Sequence, residues 1–241
     1  MYVNNELGTV MPLRKISKVI EDVKTDRRDR NVDTPLYFHT DACQAPLYLD
    51  VHAERLGIDM MTLNGSKIYG PKQTGMLYVK TGTEIEPIVR GGGQEWGKRS
   101  GTENVSGVIG FCTAFQNARN NTNKDSVSVA ALQQLFIKEL ASFIPNATVN
   151  GTTKYRSPNN IHVTFPGFDN ERLMMELDEA GILCAVGSAC SASSDEPSHV
   201  LKAIGMSDQE AQSSLRFTLG KHTTASDIEY AIKTLRKLLT A

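Results

Sequence analysis

Residues 64–72 read NGSKIYGPK and directly follow the short apolar run MMTL at residues 60–63. This pattern predicts a strand that ends in a tight turn of small residues, with Lys67 at the centre of the turn. Loops that are fixed by a rigid scaffold in this way often carry functional side chains. Taken alone, Lys67 is more simply explained as a solvated loop lysine, so its interpretation depends on its companions in the sequence.

A second short strand is predicted upstream, where residues 37–44 read YFHTDACQ and Asp41 stands at the strand end. Capping of the strand is the simpler explanation of Asp41 alone. A lysine that forms a Schiff base and a carboxylate that keeps a pyridinium nitrogen protonated are what pyridoxal phosphate requires from a protein. Lys67 and Asp41, together with a later cysteine loop around Cys190, therefore predict a pyridoxal phosphate enzyme.

Seven short blocks of the sequence occur in an order that is typical of one enzyme family. They are VNNELG (3–8), HTDACQ (39–44), GSKIYGPK (65–72), GGGQE (91–95), RSGT (99–102), GSAC (187–190) and SSLRF (213–217). On these blocks the chain resembles the cysteine desulfurases of the NifS/IscS-like subgroup, which are class V aminotransferase-like, fold-type I enzymes. The resemblance covers essentially the whole chain. It implies an α/β fold with a large cofactor-binding domain and a smaller C-terminal α+β domain.

The order of predicted elements agrees with an α/β protein. Helices are expected at about 12–28, 105–118, 129–143, 170–180 and from Ala225, with strands near 36–40, 59–63, 76–79, 160–165, 182–186 and 213–219. The polar run NNTNK at 120–124 predicts a linker or a domain boundary, and hence domains at 1–122 and 123–241. The resemblance also implies a truncated large domain, because the family's first strand and helix, phosphate-binding turn and stacking aromatic ring are not found.

Composition argues against several classes of partner. The chain has 241 residues, of which 40% are hydrophobic and 22% charged, and its net charge is −1. Neither nucleic acid nor an anionic membrane is expected as the main partner. No stretch approaches the roughly 18 apolar residues of a membrane span, and no leader is recognised. The four cysteines lack CxxC spacing, so we expect no metal site, no disulfide framework and a reduced cytoplasmic location.

The resemblance implies specific roles around the cofactor ring. Lys67 would form the Schiff base, and Asp41 would pair with the protonated pyridine nitrogen. The amide of Gln44 would meet the phenolic oxygen of the cofactor. Asn5 would reach the same oxygen or the substrate.

For the cofactor phosphate the resemblance points to Asn64 and Ser66, and to Thr102 from a second subunit. This implies a homodimer. Family members often have serine at the position of Asn64 and histidine at that of Ser66. Both residues of this chain still donate hydrogen bonds.

Arg216 and Cys190 are the candidates for binding and reacting with the substrate. Arg216 is flanked by Leu215 and Phe217, and a buried guanidinium needs an anionic partner, which is a substrate carboxylate by resemblance or otherwise a structural salt bridge. Cys190 lies in a loop of small and polar residues before Pro197, where an inert core cysteine is not expected. We expect Arg216 to converge with Lys67 and Asp41 on one cleft.

The reaction implied by the resemblance removes sulfur from L-cysteine. The products are L-alanine and a persulfide on Cys190, which passes to a sulfur acceptor for iron–sulfur cluster assembly or tRNA thiolation. Two alternatives remain at this stage. One is another lyase or aminotransferase of the same fold, for which a loop thiol would have no use. The other is a truncated, catalytically impaired relative that acts as an interaction module or as half of a split enzyme.

Overall fold

The computed structural model describes residues 1–187 and 197–240. The chain divides into two compact units. Unit 1 contains Met1–Tyr2 and Met11–Thr122, and unit 2 contains Val3–Val10 and Asn123–Ala241. The division after Thr122 falls inside the polar run at 120–124. The membership of Val3–Val10 in unit 2 differs from the simple expected division into 1–122 and 123–241.

Unit 1 is built around a three-stranded sheet of order β1-β2-β3. Its first elements are α1 (Leu13–Asp29), β1 (His39–Asp41), α2 (Ala53–Leu56), β2 (Met60–Asn64) and β3 (Gly75–Val79). β1 and β2 are parallel and β3 is antiparallel to β2. Met61 and Leu63 of β2 are buried, as the alternating pattern of the strand predicts. A parallel pair therefore sits beside one antiparallel edge strand.

The helix α3 spans Val105–Phe143 without interruption, so the run at 120–124 is helical and is not a linker, although the two units divide within it. Two of its polar side chains bond back to the helix. Asn121 Nδ2 donates to the Asn117 carbonyl at 2.8 Å, and Thr122 Oγ1 donates to the Ala118 carbonyl at 2.9 Å. Asn and Thr have only modestly unfavourable helix propensities, and the run contains neither Gly nor Pro. Polar composition alone therefore did not end the helix.

Unit 2 contains an antiparallel sheet of order β4-β5-β6. Its elements after α3 are β4 (Thr148–Val149), β5 (Asn160–Thr164), α4 (Asn170–Glu179), α5 (His199–Ala203), α6 (Asp208–Ala211), β6 (Ser214–Thr218) and α7 (Ala225–Leu239). All five residues of β5 are buried. α7 starts with a capping box of Thr224 and Asp227. Its buried residues Ile228, Ile232 and Leu235 are spaced for one apolar face.

The strand predicted at 182–186 is not formed. The N–H groups of Ala180 and Ile182 both donate to the Leu177 carbonyl, and Gly181 between them has φ +78°. These residues therefore complete the C-terminus of α4 instead of extending the sheet. Only Ala185 pairs with the sheet, in an isolated bridge to Arg216. Within the described residues no helix is both long and apolar enough to span a membrane.

Candidate active site

Three of the residues that the sequence singled out for the cofactor lie at or directly after the carboxyl ends of β1 and β2. Asp41 is the last residue of β1, and Asn64 is the last residue of β2. A 3-10 turn at Gly65–Ile68 follows at once and contains Lys67. Because parallel strands end at the same edge of a sheet, Asp41 and the Lys67 turn share one edge of unit 1. Both side chains are exposed.

The turn that carries Lys67 is held from several sides. Asn64 Oδ1 accepts hydrogen bonds from the N–H of Ser66 at 2.9 Å and from Ser66 Oγ at 2.7 Å. The N–H of Gly65 donates to the Thr74 carbonyl at 2.8 Å. Ile68 is 2% exposed and anchors the turn in the core. The backbone under the Lys67 side chain is therefore fixed, while the side chain itself faces solvent.

Space explains why residue 65 is glycine. A Cβ at this position would lie 2.2 Å from Thr74 Oγ1, 3.0 Å from the Pro71 carbonyl oxygen and 3.2 Å from Phe111 Cδ2. The turn packs closely against the segment 70–75 for this reason. Gly65 is thus required by the close packing of the turn.

Asp41 is fixed by the backbone that follows it. Its Oδ1 accepts from the N–H of Cys43 at 2.9 Å, and the N–H of Ala42 donates to the Thr62 carbonyl at 2.9 Å. No residue in the described ranges forms an ion pair with Asp41 or with Lys67. Both charges are thus available to a ligand.

Cys43 lies between the two charges. Burial, and then the neighbouring Asp41, raise the pKa of the Cys43 thiol to about 12, while the positive charge of Lys67 opposes this rise. The Sγ atom donates to the Thr62 carbonyl at 3.8 Å. A thiol with this pKa is protonated and unreactive at neutral pH. Cys43 therefore has a structural character.

The structure gives the positions of the remaining residues proposed for the cofactor. Gln44 is half-buried three residues after Asp41, and Ser66 is exposed beside Lys67. Thr102 is exposed next to Gly101, whose N–H donates to Gln94 Oε1 at 3.0 Å. These roles, and the second subunit that Thr102 would serve, stay predictions.

In unit 2 the candidate substrate arginine lies in the middle of β6. Arg216 stands between Leu215, which is 0% exposed, and Phe217, which is 4% exposed. Its Nη1 donates to the Asn5 carbonyl at 2.9 Å. Asn5 therefore contacts Arg216 through its backbone, while its side chain keeps the role proposed above as a prediction.

Beside Arg216 lies a buried polar cluster that the sequence did not reveal. His162 is 0% exposed, and its Nδ1 is 2.9 Å from Asn150 Nδ2. Asn150 Nδ2 also donates to Thr164 Oγ1 at 2.8 Å, and that hydroxyl is 2.7 Å from Ser214 Oγ. The signal was available in NIHVT, where polar residues alternate with apolar ones in a buried strand.

The units thus divide the candidate residues. Unit 1 holds Asp41, Gln44, Asn64, Ser66, Lys67 and Thr102, and unit 2 holds Asn5 and Arg216. Cys190 lies outside the described residues. The expected convergence of Lys67, Asp41 and Arg216 on one cleft stays a prediction.

Comparison with known families shows to which family the chain belongs. The model of the class V aminotransferases matches residues 1–231. The chain belongs to this family. It is 39% identical over 239 residues to the cysteine desulfurase IscS of Dictyoglomus turgidum, covering 99% of this chain and 58% of the relative. It is also 39% identical to a probable mitochondrial cysteine desulfurase of Schizosaccharomyces pombe, covering 98% of this chain and 45% of that one.

Solved structures show the same relationship. The NifS-like protein of Rickettsia africae ESF-5 matches with a TM-score of 0.87 at 28% identity, over 100% of this chain and 61% of that one. A structure described as SspA in complex with cysteine matches with a TM-score of 0.70 at 33% identity, over 92% of this chain and 58% of that one. These likenesses confirm the predicted fold-type I α/β class. This chain spans about three-fifths of the first relative's length.

Proposed function

We propose that this chain carries the residues of a pyridoxal phosphate-dependent cysteine desulfurase, which converts L-cysteine to L-alanine and leaves a persulfide on Cys190. The observation that carries the proposal is the shared strand edge of unit 1, where the Asp41 carboxylate and the Lys67 turn follow two parallel strands. The similarity to cysteine desulfurases over 99% of the chain supports the choice of substrate.

The donor set at this edge fits pyridoxal phosphate. Lys67 is an exposed amine on a fixed turn, which suits covalent attachment to an aldehyde. Asp41 is a carboxylate with no cationic partner among residues 1–187 and 197–240, which suits a protonated ring nitrogen. Gln44, Asn64 and Ser66 would supply neutral donors for the phenolic oxygen and the phosphate, and Thr102 would do so for the phosphate bound to a second subunit.

When bound, the cofactor supplies an electron sink that lowers the barrier to breaking the substrate's Cα–H bond. Asp41 would hold the ring nitrogen in its protonated form. Lys67 Nζ would take the proton that leaves Cα. Arg216 would bind the substrate carboxylate, because its planar guanidinium matches two carboxylate oxygens. Asn5 would contact the substrate or the phenolic oxygen.

The sulfur transfer balances without an external oxidant. The Cys190 thiolate would attack the substrate sulfur, so that a sulfur–sulfur bond forms as the carbon–sulfur bond breaks. The substrate carbon then takes up a proton to become alanine, and Cys190 retains the persulfide. The resemblance to cysteine desulfurases supports this role for Cys190, as well as delivery to an iron–sulfur scaffold or a tRNA-thiolating protein. We also propose a homodimer and a cytoplasmic location.

The alternative function is an interaction module or half of a split enzyme. It is favoured by one observation, namely that the chain spans 58% of the IscS relative. In that case the chain would bind the cofactor or turn over L-cysteine only together with the remaining portion of such a protein. A lyase or aminotransferase of the same fold would instead act on an amino acid without needing Cys190.

One experiment separates these functions. The chain, alone and mixed with the remaining portion of a relative, is titrated with pyridoxal phosphate and then given L-cysteine. A visible absorbance band and alanine formation are expected, and Lys67→Ala should lose both. Lys72→Ala is the control and should retain both, since Lys72 is a neighbouring exposed lysine. Alanine formation should also be lost in Cys190→Ser. Full turnover by Cys190→Ser would refute the proposed desulfurase activity. The absence of the absorbance band, both in the chain alone and in the mixture, would refute the proposed binding of pyridoxal phosphate.

A further inference from the structure

Arg216 is tied to two other segments of unit 2. Its N–H donates to the Ala185 carbonyl at 2.8 Å, and its carbonyl accepts from the N–H of Ala185 at 3.0 Å. Its side chain donates to the Asn5 carbonyl at 2.9 Å. Hydrogen bonds to Arg216, the candidate substrate arginine, thus fix both the backbone of Ala185 and the turn that contains Asn5.

Glu6, the residue after Asn5, carries a buried carboxylate. It is 2% exposed, and the hydroxyl of Ser198 donates to its Oε2. The Glu6 backbone is fixed as well, because its N–H donates to Asn4 Oδ1 at 3.0 Å and its carbonyl accepts from Asn160 Nδ2 at 2.8 Å. No cation lies within 4.0 Å of this carboxylate in the described part of the chain. The Ser198 hydroxyl is therefore an important partner of a buried charge.

Ser198 also caps the start of α5. Its Oγ accepts from the N–H of Val200 at 3.2 Å and from the N–H of Leu201 at 3.4 Å. Leu201 is 1% exposed and packs in a buried cluster with Leu7 and Ala211. The start of α5 is thus fixed both by the Glu6 carboxylate and by the residue that follows Glu6.

The contacts close into a ring at Gly187. A Cβ at Gly187 would lie 3.8 Å from Ser198 Cβ, so the residues that flank 188–197 in the sequence are neighbours. Together with the backbone connections at 5–6 and 185–187, these contacts form a closed set that we call the anchor ring. Its members are Arg216, Ala185, Gly187, Ser198, Glu6 and Asn5.

We propose that Glu6 is a positioning residue for sulfur transfer, because it holds Ser198 in the anchor ring and thereby fixes both flanks of the Cys190 segment relative to Arg216. The proposal rests on the proposed roles of Cys190 and Arg216. Holding reacting groups in register is a major source of rate, since a misplacement of about 1 Å can cost roughly 100-fold. The geometry points to Glu6 because its carboxylate joins residues that lie 192 positions apart in the chain.

The test compares Glu6→Gln, Glu6→Ala and Ser198→Ala in the full chain, with the exposed Glu229→Gln as matched control. Amide hydrogen exchange at Val200 and Leu201 needs neither cofactor nor activity. Glu6→Ala should speed it by about tenfold or more, as expected for the loss of a charge-assisted hydrogen bond. Ser198→Ala should do the same, Glu6→Gln should restore part of the protection, and Glu229→Gln should change nothing.

Single-turnover formation of the Cys190 persulfide gives the second readout. Glu6→Ala should slow this step by about tenfold or more while leaving the KM for L-cysteine within about twofold. Unchanged exchange in Glu6→Ala and Ser198→Ala, or an unchanged persulfide rate in a Glu6→Ala chain that binds L-cysteine, would overturn the proposal. If the unsubstituted chain forms no persulfide either alone or with the remaining portion of a relative, the proposed function fails, and hydrogen exchange still decides whether Glu6 anchors Ser198.

Discussion

His162 faces Arg216 across β5 and β6 as a closely spaced, non-hydrogen-bonded pair. The register places the two residues opposite each other, and the N–H and carbonyl of Arg216 are both bonded to Ala185 on the other side of β6. Such pairs bring side chains closer than hydrogen-bonded pairs do. Burial, and then the positive charges of Arg156 and Arg216, lower the pKa of His162 to about 4. The imidazole beside the candidate substrate arginine is therefore neutral at physiological pH.

This depressed pKa predicts an acid-sensitive fold. Because the His162 pKa of about 4 in the folded protein lies below the ordinary value of 6.5, the unfolded chain binds the proton first. The stability is therefore present above pH 6.5 and is lost as the pH falls towards 4, by about 3 kcal/mol in total. Urea unfolding at pH 7.5 and at pH near 4.5 measures the difference.

His162→Asn should flatten this pH dependence even if it lowers stability at every pH. His52→Asn provides the control, because His52 is exposed. An equal slope of unfolding free energy against pH in the unsubstituted chain and in His162→Asn would contradict the prediction.

The described cysteines should differ in reactivity. Burial, and then the Asp41 carboxylate, raise the pKa of Cys43 to about 12, and burial followed by the charge of Asp178 raises that of Cys184 to about 11. Cys112 is exposed. Since the thiolate is the reactive form, iodoacetamide at pH 8 should label Cys112 well before Cys43 or Cys184. Peptide mass spectrometry over time gives the order, and fast labelling of Cys43 would count against it.

Gly65→Ala should destabilise unit 1 through a steric clash. The new Cβ would lie 2.2 Å from Thr74 Oγ1, and overpacking of this kind costs about 1–3 kcal/mol. Adding Thr74→Ala removes the nearest atom, so the double variant should lose less than the sum of the single losses. Urea unfolding of all three variants forms a double-mutant cycle. Simple additivity would show that Thr74 is not the obstacle.

Arg216→Lys tests the geometry of carboxylate binding while keeping the charge. Lysine lacks the planar fork of arginine, so kcat/KM for L-cysteine should fall by about tenfold or more, mainly through KM. Arg172→Lys is a matched control, because Arg172 is exposed and pairs with Glu176 on the surface of α4. The measurement is the rate of alanine formation over a range of L-cysteine concentrations. Equal KM values for Arg216→Lys and the unsubstituted chain would remove Arg216 from the binding site.

The sequence predicted the strand edge of unit 1 well, because its signals are local. An apolar run followed by a turn of small residues is readable in residues 60–72, and the structure places a strand and a 3-10 turn there. The run at 120–124 misled because its polar side chains are satisfied by helix carbonyls, as the bond from Thr122 Oγ1 to the Ala118 carbonyl illustrates. At the predicted strand 182–186, the N–H of Ile182 bonds to the Leu177 carbonyl at the end of α4, and only Ala185 bonds to β6.

Long-range polar contacts were beyond local patterns. The Glu6 carboxylate meets a hydroxyl 192 positions away, and nothing near Glu6 in the sequence announces this partner. The cluster of His162 and Asn150 likewise forms only when β5 is paired and covered. Side chains whose partners come from distant segments become interpretable only once the topology is known.

The closeness of Gly187 and Ser198 has a consequence for how this family can vary. A Cβ at Gly187 would lie 3.8 Å from Ser198 Cβ, so any loop that joins these two residues of unit 2 has closely spaced ends. The entropy of closing such a loop grows only with the logarithm of its length, by about 0.6 kcal/mol for each doubling. Residues can therefore be inserted or deleted between these two points at little thermodynamic cost. The length of this segment can thus change without any change in β6, the strand that holds the candidate substrate arginine.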